Sequence, residues 1–161
     1  ARKLGADVMF FLHGGCSRLE GRGDEFAKAL QPMKAPVVLV KPEAGVSTAA
    51  SYAAFDANPV LIPMALKEQA ARAEVAEEVP LANNLQDASF SLVPELGAIQ
   101  SWLVDRCGAD KVLMSGSGST FFAACDSLTQ ASEVAGAARV CGWWSRATSF
   151  SPIGTALIPV R

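Results

Sequence analysis

Between Met114 and Thr120 the chain reads Met-Ser-Gly-Ser-Gly-Ser-Thr, with two glycines and four hydroxyl side chains in seven positions and apolar stretches on either side. Such a loop presents backbone N–H groups that no side chain obstructs, which suits a phosphate or another anion. An ordinary Gly/Ser hairpin turn has the same composition. Asp7 stands just ahead of an apolar stretch in Leu4-Gly5-Ala6-Asp7-Val8. A carboxylate at the end of an element can serve as a general base, or equally as a turn or capping residue. His13, beside Gly14 and Gly15 with no Ser, Cys or Asp at a telling distance, reads as a surface turn residue. Tyr52 is the aromatic best placed to stack on a ligand ring, whereas Phe55, Trp102, Trp143 and Trp144 read as core. Glu74, Glu77 and Glu78 read as a solvated helix face.

These residues need elements to hold them. Met9 to His13 and Ser17 to Glu20 have strand character and are separated by Gly14 and Gly15, which predicts a hairpin ended by Gly21 and Gly23. Pro32 and Pro36 bracket a linker, so a domain boundary is expected near residue 34. Val37 to Lys41 is a continuous apolar strand of the kind found inside a sheet. Ser47 or Thr48 can cap a helix over Ala49 to Phe55, and the Ala/Glu/Lys/Gln-rich stretch Ala65 to Glu78 predicts a second helix. Leu92, Leu96, Ile99, Leu103 and Val104 recur at helical spacing, predicting a core-facing helix over 90–106 with Gly108 at its C-cap. Lys111 to Met114 and Thr120 to Cys125 are strand-like, Leu128 to Val140 a helix, and Trp143 to Phe150 a last strand. From residue 37 the order is strand, helices, strand, strand, helix, strand. That is the split βαβ arrangement of a ferredoxin-like α+β domain, with helices on one face of an antiparallel sheet.

Composition narrows the classes. The chain has 161 residues, half of them apolar, and its net charge of −2 with 14 scattered Lys and Arg gives no stripe to hold a nucleic-acid backbone. Cys16, Cys107, Cys125 and Cys141 form no C-x-x-C pair and only one His is present, so neither structural zinc nor a disulfide framework is expected and the compartment reads as cytoplasmic or similarly reducing. No apolar run approaches the roughly 20 residues that span a bilayer. Ala1 enters at once into patterned sequence with neither an initiator Met nor a signal peptide, so the start reads as a cut.

Taken together, Leu4-Gly5-Ala6-Asp7-Val8, Glu20-Gly21-Arg22-Gly23, Val40-Lys41-Pro42, Val46-Ser47-Thr48, Asn83-Asn84-Leu85-Gln86 and Leu113 to Phe122 occur in an order that resembles the GHMP kinases. The resemblance covers nearly the whole chain. Within that family it is closest to the branch that uses ATP and Mg²⁺ to phosphorylate the 2-hydroxyl of a cytidine diphosphate methylerythritol in non-mevalonate isoprenoid precursor synthesis. It implies that Asp7 is the catalytic base, that Gly21, Arg22 and Gly23 read the cytosine edge through their backbone, that Thr48 lies near the methylerythritol and that Tyr52 stacks on the cytosine. It also implies that Gly116, Ser117, Gly118 and Ser119 belong to the family's third motif, a loop that helps shape the phosphate site. Residues 1–34 would be the trailing hairpin of an N-terminal domain and 35–161 the C-terminal domain. Met9 stands where the family usually has Pro, and Asn84 where Asp is frequent. The family's main ATP-gripping loop and the Lys that partners its catalytic Asp lie upstream of the Gly-Ala-Asp segment, so the chain by itself is expected to be inactive.

Two other readings stay open on the residues alone. One is a non-catalytic ferredoxin-like module that binds a small anion at the 115–120 loop. The other is an interaction domain whose hairpin edge pairs with another chain.

Overall fold

The computed structural model describes Gly5 and residues 8–151, and these fall into two compact units. The first contains the described residues up to Lys34, together with Glu68–Val79 and 150–151; the second contains Ala35–Lys67 and Pro80–Ser149.

In the first unit, α1 (Val8–His13) precedes an antiparallel hairpin of β1 (Cys16–Glu20) and β2 (Glu25–Leu30). The expected strand over Met9 to His13 is therefore a helical turn, and the hairpin lies one element further on. The reason is local. Gly14 donates its N–H to Phe10 O (2.7 Å), and Gly14 and Gly15 both adopt φ 66, so the glycines terminate a helix instead of turning a hairpin. A short apolar run fits helix and strand alike by periodicity. His13 is exposed, as a surface residue should be, but it closes the helix and stacks on Phe26 at 4.3 Å between ring centroids.

The helix expected over 65–78 is also shorter. α3 runs from Met64 to Arg72, and Ala76–Glu78 is a single 3₁₀ turn. Between them the backbone turns to the hairpin: Gln31 N–H donates to Glu74 O (3.0 Å), Ala76 N–H to Gln31 O (2.9 Å), and the Lys28 ammonium binds Ala73 O (2.9 Å) and the Glu74 carboxylate. Tertiary pairing overrides helix propensity here, so Glu74, Glu77 and Glu78 are exposed but do not share a helix face.

The second unit is a four-stranded antiparallel sheet in the order β4-β5-β3-β6, formed by β3 (Pro36–Lys41), β4 (Val112–Met114), β5 (Phe121–Ala124) and β6 (Trp144–Ser149). Its helices are α2 (Thr48–Ala57), α4 (Gln86–Leu92), α5 (Glu95–Cys107) and α6 (Leu128–Val140). Strand order and helix placement are those of the ferredoxin-like split βαβ domain. Strand register explains the core. Val112, Ala123, Val38 and Ala147 stand side by side across the sheet, with Met114, Phe121, Val40 and Ser145 in the next row on the same face. Against this face pack Leu96, Ile99 and Leu103 of α5 and Ala131, Val134, Ala135 and Ala138 of α6, all buried. Each large side chain buried this way contributes about 1.5–3 kcal/mol.

The single helix expected over 90–106 is two. Pro94 lacks the N–H that would continue α4 and is preorganised to open α5, so the chain breaks at Val93 and restarts. Gly108 ends α5 at φ 98, its N–H bonded to Val104 O (2.9 Å). Trp102 and Trp143 meet edge to face at 5.3 Å on the rim of the core, whereas Trp144 is half exposed. Among the described residues no helix is long and apolar enough to cross a membrane.

Candidate active site

The loop 115–120 joins β4 to β5, whose pairing places Met114 opposite Phe121. Gly116 at φ 57 and Gly118 at φ 87 take up the left-handed conformations that let so short a connection reverse direction. Within the loop Ser115 N–H donates to Thr120 O (2.8 Å) and Gly118 N–H to Ser115 O (2.9 Å). No heavy atom lies within 4 Å of the point where a Gly116 side chain would begin, so its backbone faces open space.

Helix α2 starts beside this loop. Of the two hydroxyl residues that could cap it, Ser47 does so, accepting from Ala50 N–H at 3.4 Å. Thr48 is left free to share a hydrogen bond with Ser117 Oγ at 2.9 Å. One turn on, Tyr52 is 54% exposed and, with Phe55 and Asp56, forms one wall of a pocket of about 410 Å³ whose other wall is residues 82–85. Thr48, Tyr52, Gly116, Ser117, Gly118 and Ser119 are thus brought together in one unit. Gly21, Arg22 and Gly23 form the β1–β2 turn of the other unit, where Asp24 accepts from Arg22 N–H at 3.2 Å. Asp7 lies outside the described residues.

Three residues hold the site together without a role assigned from sequence. Asn83 donates both N–H bonds of its carboxamide to the loop, to Met114 O (2.8 Å) and Gly116 O (2.7 Å), and accepts from Leu85 N–H (2.9 Å). Ser89 donates to Ser117 O (2.8 Å), and behind it the fully buried Ser51 shares a 2.7 Å hydrogen bond with it. The sequence picks out Asn83 only within the Asn83-Asn84-Leu85-Gln86 segment of the family resemblance, with no role attached; two serines in the middle of helices carry no signal.

The remaining titratable chemistry is structural. Burial, and then its neighbour Cys125, push the Cys107 thiol up to about 11, so it stays protonated. Among the described residues no three His, Cys, Asp or Glu side chains gather as a metal site.

Residues 65–140, which include α4, α5, β4, the glycine loop, β5 and α6, match a family model, that of the GHMP kinases C terminal. Over these residues the chain is similar to the C-terminal domain of the GHMP kinases. Within that class its similarity is to kinases named for one substrate. It is 36% identical over 139 residues to the 4-diphosphocytidyl-2-C-methyl-D-erythritol kinase of Desulfitobacterium hafniense, covering 84% of this chain and 48% of the relative. It is 38% identical over 123 residues to the enzyme of that name from Bacillus pumilus, covering 74% of this chain and 42% of the relative. The crystal structure of a 4-(cytidine 5'-diphospho)-2C-methyl-D-erythritol kinase superposes with a TM-score of 0.66 at 33% identity, over 92% of this chain and 54% of that one. Homoserine kinase from Cytophaga hutchinsonii, at 18% identity and a TM-score of 0.63, shares the fold. The chain spans about half the length of the relatives it matches.

Proposed function

We propose that the full-length protein transfers the γ-phosphoryl group of ATP to the 2-hydroxyl of 4-diphosphocytidyl-2-C-methyl-D-erythritol, a step of isoprenoid precursor synthesis, and that the second unit supplies part of both ligand sites. The observation that carries this reading is the Thr48–Ser117 hydrogen bond (2.9 Å). It joins the residue expected beside the acceptor's methylerythritol to the loop expected beside the phosphates, and phosphoryl transfer depends on holding those two groups together.

The pocket favours a flat polar ring. Tyr52 offers an exposed face for stacking, while Asp56 and Asn84 bring a carboxylate and a carboxamide to the same pocket; the carboxamide of Asn83, which also lines it, is engaged by the loop. For ATP the loop is a fitting partner. The backbone at Gly116 is open to approach, and Ser117 carries a hydroxyl that can donate to a phosphate oxygen, whereas Ser119 is buried. ATP brings the electrophilic phosphorus and a good leaving group; what these residues contribute is placement and charge stabilisation. Among the described residues no three His, Cys, Asp or Glu side chains gather as ligands for Mg²⁺. Asp7 is proposed as the general base that takes the proton from the attacking hydroxyl, with the backbone of Gly21, Arg22 and Gly23 on the cytosine edge. The domains proposed are 1–34 and 35–161, and the cytoplasm is the proposed compartment.

The test is steady-state kinetics of the Tyr52→Ala variant in the full-length protein. Loss of one stacked base corresponds to about 1–3 kcal/mol, so KM for the cytidyl substrate should rise at least ~5-fold while kcat changes little. An unchanged KM would remove the cytidyl group from this pocket.

A further inference from the structure

We infer that Asn83 is a positioning residue for phosphoryl transfer, setting the conformation of the 115–120 loop from outside it with Ser89 and Thr48 as its partners; this rests on the kinase reading above. A loop with two glycines at positive φ has little of its own to fix it, and ordering it costs backbone entropy. Here three successive points are tied down by donors from other elements. Met114 O and Gly116 O take the two N–H bonds of Asn83, and Ser117 O takes the hydroxyl of Ser89. Ser117 is held a second time through its own hydroxyl, by Thr48.

The chemistry at position 83 is specific. A planar carboxamide supplies two donors to carbonyls two residues apart and one acceptor to Leu85 N–H, so every group of Asn83 is used. Aspartate has nearly the same shape but turns both donors into acceptors facing carbonyl oxygens. Direction can also be assigned in the serine pair. Ser89 has a single hydroxyl proton and gives it to Ser117 O, so Ser51 must donate to Ser89. The chain of bonds runs from Ser51 on α2 through Ser89 on α4 to the loop. Thr48 and Tyr52, one helix turn apart, are on the same α2. The face expected to meet the acceptor and the loop expected to meet the phosphates are therefore fixed to each other.

The test compares Asn83→Asp and Ser89→Ala with wild type in the full-length protein, by amide hydrogen exchange at Ser115 and Gly118 and by kinetics. Losing two hydrogen bonds of ordinary net strength should speed exchange at these amides about 30-fold in Asn83→Asp near pH 8. Protection should return in part at pH 4, where the carboxyl gains a proton and can donate once. In the same variant kcat should fall and KM for ATP rise at least ~10-fold, because a misplaced phosphate loop loses transition-state geometry. KM for the cytidyl substrate should change less than KM for ATP, a split that general destabilisation would not give. Ser89→Ala should move the same amides to a smaller extent, and slow exchange in β3 confirms a folded domain in either variant. Wild-type protection at both amides in Asn83→Asp overturns the inference, as does a loosened loop with wild-type kcat and KM for ATP. A wild-type protein with no transferase activity overturns the kinase reading instead, and that outcome is read before any variant is made.

Discussion

Met114 lies fully buried under the loop, and it leaves no room above it. A Cβ on Gly118 would stand 2.9 Å from Met114 Sδ, and φ 87 is itself a conformation that side-chain-bearing residues rarely adopt. Gly118→Ala should therefore cost about 1–3 kcal/mol, read as a lower urea midpoint. Gly116→Ala has open space and carries only the backbone penalty of φ 57, about 1–2 kcal/mol. Equal losses at the two sites would mean that contact with Met114 adds nothing. The thiol of Cys107 makes a second residue-scale prediction. Its pKa rises from an ordinary 9.0 to about 11 on folding, first through burial and then through Cys125. Because the folded value is the higher one, the stabilisation is complete below pH 9 and fades as pH climbs from 9 towards 11. Thermal unfolding of the wild type should show an alkaline fall across that window that is weaker in Cys107→Ala. An identical alkaline profile in the variant would assign the fall to other groups.

At the scale of elements, α5 and α6 hold the sheet that carries the loop. Leu103 is fully buried among Val112, Met114 and Phe121 in the core cluster, and Leu103→Ala should cost about 2–5 kcal/mol. Ser127 caps α6 by accepting from Gln130 N–H at 3.1 Å, so Ser127→Ala should cost about 1 kcal/mol without altering the site. Chemical denaturation checks both, and a larger loss at Ser127 than at Leu103 would reverse the account of where stability resides. The elements legible in the sequence were those with a long period or a strong stop. Leu128–Val140 was readable to the residue, and the structure shows Ser127 capping its start. The strands around the glycine loop were readable because apolar residues flank it on both sides. The misread elements were those where a short run fits two periods, as at Val8–His13, or where distant backbone competes, as at Ala73–Ala76 with Gln31. Pro94 marked the break between α4 and α5, yet the spacing of Leu92 and Leu96 runs on across it.

At the scale of the whole molecule, the strand order β4-β5-β3-β6 brings the loop, α2 and the turn at Asn83 into one site from segments some 35 and 70 residues apart along the chain, roughly the spans that the Asn83–Gly116 and Thr48–Ser117 bonds close. The loop could be singled out from sequence because its residue types are chemically suggestive, and Thr48 as a possible helix cap and through the family resemblance. Their mutual contact could not, because no local pattern encodes a bond across 69 residues. The roles of Asn83, Ser89 and Ser51 were invisible for the same reason: each is an ordinary polar residue until the fold supplies its partner. The central claim, phosphoryl transfer to a cytidine diphosphate methylerythritol, is tested most directly by one assay. ATP, Mg²⁺ and that substrate are supplied to the full-length protein as wild type and as Asp7→Asn. The account predicts formation of the 2-phosphorylated product by the wild type and a kcat at least ~100-fold lower in the variant. No product from the wild type, or a near-normal kcat in Asp7→Asn, would contradict it.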